Sequence, residues 1–436
     1  MMLPIGGPPP VVVAQQDART TKAVERDLSA AQLFALAEQA KDDARYEDAL
    51  TLYAALARDP EPDVRAEARF RRGMLLAQTK RYAEAAVAFR ALLDEKPDAA
   101  RVRLELARVL ALIGDEAGAR RAVRQAQATG LPDDVAATVD QFARALRTTR
   151  PFGGAFQAGL VPDSNINRAT QARTLDTVIA PLTLSRDARA RSGIGVRLSG
   201  QGYVRLPISD TLSILPRVSA LGSFFRGGDF NDISTSALVG LEWRRGIDRW
   251  SPSVGLTQRW YGGDTYARTR SATIDWLHPV GREAQLVLHV GAAASRYARN
   301  PLQDGGLFDV AVGYERAVSA RSGYGATLSS YRQAARDPGY STVAGGITLS
   351  AWRDVGRTTF LVTTGLSRLQ GDQRLFLFPE RRREWLANSS VSATLRRLAV
   401  RGFAPTLRLT VERNTSTVGL YRYRRFASEV GLIRAF

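Results

Sequence analysis

Fourteen strand-like segments follow one another from Pro151 to the end of the chain, and they constrain the fold more than any other feature of the sequence. Each is about ten residues long and is bounded by turn-forming residues. An even number of such segments is typical of an antiparallel sheet that closes into a barrel. The segments cover residues 152–161, 190–206, 211–225, 232–245, 250–261, 267–278, 284–297, 306–316, 322–333, 340–352, 357–369, 384–397, 403–413 and 421–436.

Short and long connections alternate between these segments without exception. Tight turns are predicted at 207–210, 245–248, 279–281, 317–320, 354–356 and 398–401, and the largest of the longer connections are 162–189 and 370–383. This alternation is what an up-and-down barrel requires when both chain ends lie on the short-turn side. A β-sandwich would not require it.

The two faces of the segments differ in polarity, as they do in a barrel that crosses a membrane. In 284–297, five apolar residues from Leu286 to Ala294 share one side, and polar residues share the other. Trp250 and Trp260 lie on one face ten residues apart. That is about 33 Å along a strand, or about 25 Å of height in a tilted strand, which matches the apolar band of an outer-membrane barrel. Gln258 is an exception on this face.

Residues 29–149 are predicted to form a short array of helical repeats. Ala49, Ala85 and Ala119 are 36 and 34 residues apart, and the spacing resembles that of the tetratricopeptide repeat. A helical bundle of ordinary hairpins is the alternative. A further amphipathic helix, roughly 133–146, is expected to close the array. The residues expected to pack the repeats are Tyr46, Ala49, Tyr53, Gly73, Tyr82, Ala85, Phe89 and Ala119.

The predicted fold class is therefore α + β multidomain, with an N-terminal α-solenoid followed by a 14-stranded antiparallel transmembrane β-barrel. The array spans 29–149 and the barrel 150–436. Residues 1–28 are interpreted as a degenerate or truncated export signal or as a disordered tail, because small residues suited to cleavage follow a proline-rich stretch without basic residues. Phe436 is the expected assembly signal of the barrel, although Arg434 stands where an apolar residue is usual.

Composition argues against enzymatic chemistry. The chain has no cysteine and two histidines, and all four lysines precede Pro151, which excludes thiolate, polyhistidine and Schiff-base sites from the barrel. His278 and His289 are expected to be solvated or hydrogen-bonded barrel residues, His289 on the lumen side with no carboxylate at ligand spacing. We expect no catalytic residue, no metal site and no cofactor.

Charge is distributed unequally between the two parts. Residues 1–149 hold 22 basic and 22 acidic side chains, whereas residues 150–436 hold 39 and 21 and carry the whole net charge of +18. The neutral array argues against nucleic acid as a partner. The arginine surplus of the barrel has two explanations, polar walls of a water-filled lumen or contacts with lipid phosphates at the rims.

The motif that opens the barrel carries a family resemblance. The first segment continues into Gly159-Leu160-Val161-Pro162-Asp163-Ser164-Asn165-Ile166-Asn167, after a helical repeat array and before a 14-strand barrel. This combination resembles the surface lipoprotein assembly modulator family of Gram-negative outer membranes. Asp163, Ser164, Asn165 and Asn167 match that family's opening motif. We favour a role in shaping the first loop over direct client contact, since such side chains hydrogen-bond to nearby backbone.

The resemblance implies an outer-membrane translocator with its N-terminal domain in the periplasm. The array would capture a client lipoprotein, or a related secreted haem- or iron-binding protein, and the barrel would pass it through the lumen or through an opening between the first and last strands. Other expected partners are outer-membrane lipid, lipopolysaccharide and the barrel-assembly machinery, and the protein is expected to be a monomer. The alternatives are a polysaccharide-export porin and a passive diffusion channel.

Overall fold

A computed structural model describes residues 28–129, 152–398 and 403–434. The first of these ranges is helical. Its six helices are α1 (Ala30–Asp42), α2 (Tyr46–Leu56), α3 (Pro62–Gln78), α4 (Tyr82–Glu95), α5 (Ala100–Ile113) and α6 (Glu116–Gln127). Ser29 caps α1 in a capping box with Gln32, Pro62 stands in the first turn of α3, and Gly114 ends α5 with φ +97°. No helix of the described ranges is both long and apolar enough to span a membrane.

The helices pack as antiparallel pairs that repeat along the chain. Ion pairs join equivalent places in successive pairs: Arg71 contacts Glu38, 33 residues earlier, and Arg81 contacts Glu47, 34 residues earlier. The core of the array contains Ala49, Tyr53, Ala85, Phe89 and Ala119, all buried, whereas Tyr82 is half-buried and Tyr46 is exposed at the surface. A Cβ atom on Gly73 would lie 2.5 Å from the Phe89 ring, so this position needs glycine for the close approach of α3 and α4.

The second part confirms the prediction of a closed barrel of fourteen antiparallel strands. The barrel strands are β1 (Phe152–Asp163), β2 (Gly193–Val204), β3 (Leu212–Phe225), β4 (Asp232–Arg245), β5 (Asp248–Tyr261), β6 (Asp264–Val280), β7 (Ala284–Tyr297), β8 (Gly305–Ser319), β9 (Ser322–Ala335), β10 (Thr342–Val355), β11 (Thr358–Arg374), β12 (Arg381–Leu395), β13 (Phe403–Ser416) and β14 (Tyr423–Arg434). Each strand pairs with its chain neighbours, and β1 pairs with β14 to close the sheet. The two-residue segments Thr174–Leu175 and Leu182–Thr183 form a small hairpin in the first long loop.

The sidedness of the strands follows the alternation in the sequence. Val239 on β4, Val254 on β5 and Ile274 on β6 are exposed on the outer wall, and the registers place Trp250 opposite both Trp243 and Trp276 on that wall. Charged residues such as Glu429 and Arg425 lie buried on the lumen side. Since short turns are periplasmic and long loops extracellular in such barrels, the tryptophan group marks the periplasmic boundary of the apolar band.

Several predicted features lie outside the described residues. These are the segment 1–27, the helix expected at 133–146 and the terminal Phe436. The side chain of Arg434 is likewise not described.

Candidate functional site

The helical array contacts the short-turn end of the barrel through a network centred on Asp94. Asp94 ends α4, is almost buried, and lies 2.9 Å from the Arg396 guanidinium and 3.7 Å from that of Arg357. Arg396 also lies 3.0 Å from Asp354, at the end of β10. Burial raises the pKa of Asp94, although the two guanidinium groups oppose that rise. One carboxylate of the array therefore joins two periplasmic turns of the barrel.

Further contacts lie around the same rim. Arg124 on α6 donates to the Gln285 side chain over 2.6 Å and lies 3.5 Å from Glu315. The Tyr203 hydroxyl on β2 donates to the carbonyl of Gly114 over 3.0 Å, at the turn between α5 and α6. These contacts involve strands on opposite sides of the barrel, so α4 to α6 cover the periplasmic mouth rather than one edge of it.

A chamber of about 330 Å³ lies between the array and the mouth. Its lining contains more arginines than carboxylates, which are those of Asp94, Asp115 and Asp354. Burial lowers the pKa of Arg90 and of Arg103 to about 10 in each case. Arg103 donates to the Gln125 side chain, but Arg90 forms no ion pair with any described residue. The lining arginines are Arg90, Arg103, Arg121, Arg321 and Arg396.

The barrel lumen also carries paired charges, at the level of the closing strands. Glu429 on β14 is 3% exposed, lies 3.1 Å from Arg197 and accepts from Gln157 over 2.9 Å. Nearer the extracellular end, Arg425 lies 2.7 Å from Asp163 and 2.5 Å from Glu412. All of these residues except Asp163 line a lumenal cavity of about 600 Å³. Every strongly buried charge in this region therefore has a partner, as burial requires.

The opening motif lies where β1 leaves the barrel wall, and its side chains fasten the first loop to β14. The Ser164 amide donates to the Phe426 carbonyl over 2.9 Å, and the Phe426 amide donates to Ser164 Oγ over 2.8 Å. Asn165 is 1% exposed and donates to the carbonyls of Ala169 and Arg424. Asn167 donates to two carbonyls and accepts from the Arg191 amide at the far end of the loop.

Among the described residues, β1 and β14 share the fewest paired positions in the barrel wall. Five residue pairs join the described parts of these strands, whereas the other neighbouring barrel strands share nine to fourteen. At its centre Gly159 faces Gly431, so no side chains pack across the strands there. Residues 152–156 of β1 pair with β2 but with no described residue of β14. The opening motif adds hydrogen bonds between the two strands at the extracellular end of this seam.

The extracellular loops form a small apolar cluster of their own. Leu175 from the first loop packs with Leu375, Phe378 and Val418 from the loops that precede β12 and β14. The Val178 amide donates to the Leu377 carbonyl over 3.0 Å. These loops therefore cover one another above the barrel.

His289 is a hydrogen-bonded residue of the barrel, as expected, and its partners lie on the neighbouring strands. Two carboxylates flank its ring on the lumen side: Asp275 lies 2.7 Å from Nδ1 and Asp309 lies 3.0 Å from Nε2. They belong to the neighbouring strands β6 and β8, so spacing along the chain could not reveal them. His278 contacts Asp248 on the outer wall. Across the described ranges, no group of three or more acidic or histidine side chains has the arrangement of a metal site.

Asp94, Arg396 and Tyr203 were not anticipated from the sequence. Asp94 ends a helix and Arg396 follows a strand, positions at which charged residues are ordinary. Only the docking of the array on the barrel brings them together. The excess of arginine in the barrel was the one available signal.

Comparison with known proteins gives one family. A family model described as surface lipoprotein assembly modifier matches residues 154–436. Nothing matches among the curated proteins. Solved structures that resemble parts of the chain include PcrH from Pseudomonas aeruginosa (22% identity, 28% of this chain and 98% of that one, TM-score 0.25). They also include OmpT of Vibrio cholerae (8%, 66% and 98%, 0.38) and a bacterial polysaccharide outer membrane secretin (10%, 64% and 98%, 0.30).

Proposed function

Because the chain belongs to the surface lipoprotein assembly modifier family, we propose that it is an outer-membrane translocator that delivers client lipoproteins to the cell surface. The helical array captures the client in the periplasm, and the barrel passes it outward. In this proposal the client is a lipoprotein or a related secreted protein that binds haem or iron. The family and the barrel fold point to transport and assembly rather than to catalysis.

The observation that carries the proposal is the chamber between the array and the barrel mouth. A client held by α4 to α6 would already lie at the entrance of the barrel, which removes a diffusion step between capture and passage. Arg90 and Arg121 have no ion-pair partner among the described residues, so they can accept anionic or carbonyl groups of a client segment.

We place the route at the seam between β1 and β14, on the periplasmic side of the opening motif. Five residue pairs join the described parts of β1 and β14, and the facing glycines leave one of these pairs without side chains, so fewer contacts are lost when these two strands separate. The Gln157 side chain gives one hydrogen bond across the seam, to Glu429. Meanwhile the motif keeps the extracellular ends of the two strands together. In this proposal the protein acts as a monomer, is inserted by the barrel-assembly machinery, and contacts lipopolysaccharide with its outer rim.

Surface labelling of an epitope-tagged client lipoprotein on intact cells tests the division of labour. A form lacking residues 1–149, with the same export signal as the full chain, is expected to insert in the outer membrane but to lose client display. Heat-dependent gel mobility checks that its barrel is folded. Undiminished display by this form would contradict the proposal. If cells without the protein still display the client lipoprotein but lose a surface polysaccharide, the polysaccharide-export alternative is favoured.

A further inference from the structure

Three arginines lie together on the outer wall of the barrel rather than in its lumen. Arg268 and Arg270 are on β6, and Arg296 is on β7 directly opposite Arg268. Their side follows from the register, because Arg270 pairs with Leu256, which is 61% exposed on the outer wall. All three arginines are exposed. Because alternate residues of a strand share a face, the three guanidinium groups form one cluster on the lipid side.

The cluster has no anionic partner within the described protein. Its one hydrogen bond to another side chain runs from Arg268 to Gln258 Oε1, over 3.0 Å. Arg332, on the same outer wall, instead pairs with Asp372. Like charges placed directly opposite each other on neighbouring strands destabilise a sheet. An anion from outside the protein would convert this repulsion into charge-assisted hydrogen bonds.

The depth of the cluster points to the membrane surface. Gln258 and Trp260 lie on the same face of β5, two residues apart, which is about 7 Å along a strand. Arg268 pairs with Gln258 and so lies just inside Trp260, at the extracellular end. An exposed arginine is costly at the middle of the apolar band and much less so near the interface. Arg268 and Arg296 therefore lie near the extracellular edge of the apolar band and Arg270 lies deeper, and long arginine side chains can extend from such positions towards the lipid headgroups.

The surrounding wall is recessed. Small residues, among them Gly200, Gly202, Ala220 and Ala237, lie beside the arginines and leave a concavity of about 990 Å³. Apolar residues such as Leu256 and Val218 complete the lining. The recess thus combines a cationic edge with an apolar floor, as a lipid with a charged headgroup requires.

We propose that this recess binds the phosphorylated glycolipid of the outer leaflet, with Arg268, Arg270 and Arg296 on its phosphate groups. Three guanidinium groups spread over two strands suit a headgroup with two separate phosphates. A single phosphodiester offers one charge and would leave part of the cluster unpaired. The site explains why Gln258 interrupts the apolar face of β5, since its amide oxygen orients Arg268. The inference does not depend on the proposed transport function.

The test measures lipid binding by the full-length protein in detergent, using native mass spectrometry or titration with purified glycolipid. R268Q/R296Q removes a directly opposed arginine pair from the recess. R413Q/R424Q is the matched control, because Arg413 and Arg424 are also opposed, exposed and on the outer wall but lie outside the recess. Heat-dependent gel mobility verifies that both barrels are folded.

R268Q/R296Q is expected to weaken binding of the diphosphorylated glycolipid by about tenfold or more, because two charged donors are lost. The control should change binding by less than about twofold. The wild type should bind the dephosphorylated glycolipid no more tightly than R268Q/R296Q binds the diphosphorylated one. An equal loss of glycolipid affinity in the two variants would show that the arginines attract anionic lipid in general and that the recess is not a specific site. Wild-type affinity for phosphatidylglycerol equal to that for the glycolipid would overturn the choice of ligand. Unchanged binding by R268Q/R296Q would overturn the site.

Discussion

Asp94 illustrates how single residues hold the two parts of this molecule together. Its carboxylate contacts two arginines that belong to different periplasmic turns, and it is nearly buried between them. Removing one member of a buried ion pair leaves the other charge without compensation, which costs more than the pair itself contributes. Asp63 provides a contrast, since it is largely exposed and pairs with Lys96 within the array. Exposed pairs of that kind contribute little.

Asp94→Asn is therefore expected to loosen the docking of the array, whereas Asp63→Asn should not. Because the chain has no native cysteine, single cysteines at the exposed positions Leu36 and Ile247 can carry spin labels without background. The distance distribution between the labels should broaden in Asp94→Asn. A distribution as narrow as that of the wild type would show that Asp94 does not maintain the docked arrangement.

Among the elements, α4 contributes both to the core of the array and to its docking on the barrel. One side of it, with Ala85 and Phe89, fills the core, while its end presents Asp94 to the barrel. Phe89 is fully buried, packs against Phe70 at 6.2 Å between ring centroids, and fills the space left by Gly73. The packing of this helix thus sets the position of the junction carboxylate.

Phe89→Ala is predicted to destabilise the array by about 3–5 kcal/mol, through the lost burial and the cavity that remains. Val87→Ala, on the same helix but exposed, is the control and should change stability by less than about 0.5 kcal/mol. Helix loss followed by circular dichroism at 222 nm during thermal unfolding measures both. A similar effect of the two substitutions would mean that the array core does not depend on Phe89.

At the scale of the whole molecule, the array lies across the periplasmic mouth of a barrel whose first and last strands share the fewest pairs among the described residues. Every other neighbouring strand pair shares at least nine register positions, so the proposed separation of the wall would break the fewest described pairs at the seam. The extracellular end of that place is fastened by the opening motif, and the loops above pack on one another. The arrangement suits passage that begins from the periplasm.

A disulfide across the seam tests this route. Leu160 and Val430 are register partners on the outer wall, and cysteines at such paired positions are close enough to bond. Oxidised Leu160→Cys/Val430→Cys is expected to block client display, with recovery after reduction. Val239→Cys/Val254→Cys on β4 and β5 is the matched lock and should leave display unchanged. Normal display with the seam locked would favour passage through the lumen.

The sequence by itself determined the number of barrel strands, the alternation of turns and loops and the apolar face of strands such as β5 and β7, because these depend on local turn chemistry and a period of two residues. It also predicted the helical repeats, since Ala49, Ala85 and Ala119 recur at the period of the fold. Only the tertiary structure decided which charges meet. His289 lies between Asp275 and Asp309, Asp94 meets Arg396, and Arg268 faces Arg296, because strand register and domain docking bring together residues whose separation along the chain follows no local rule.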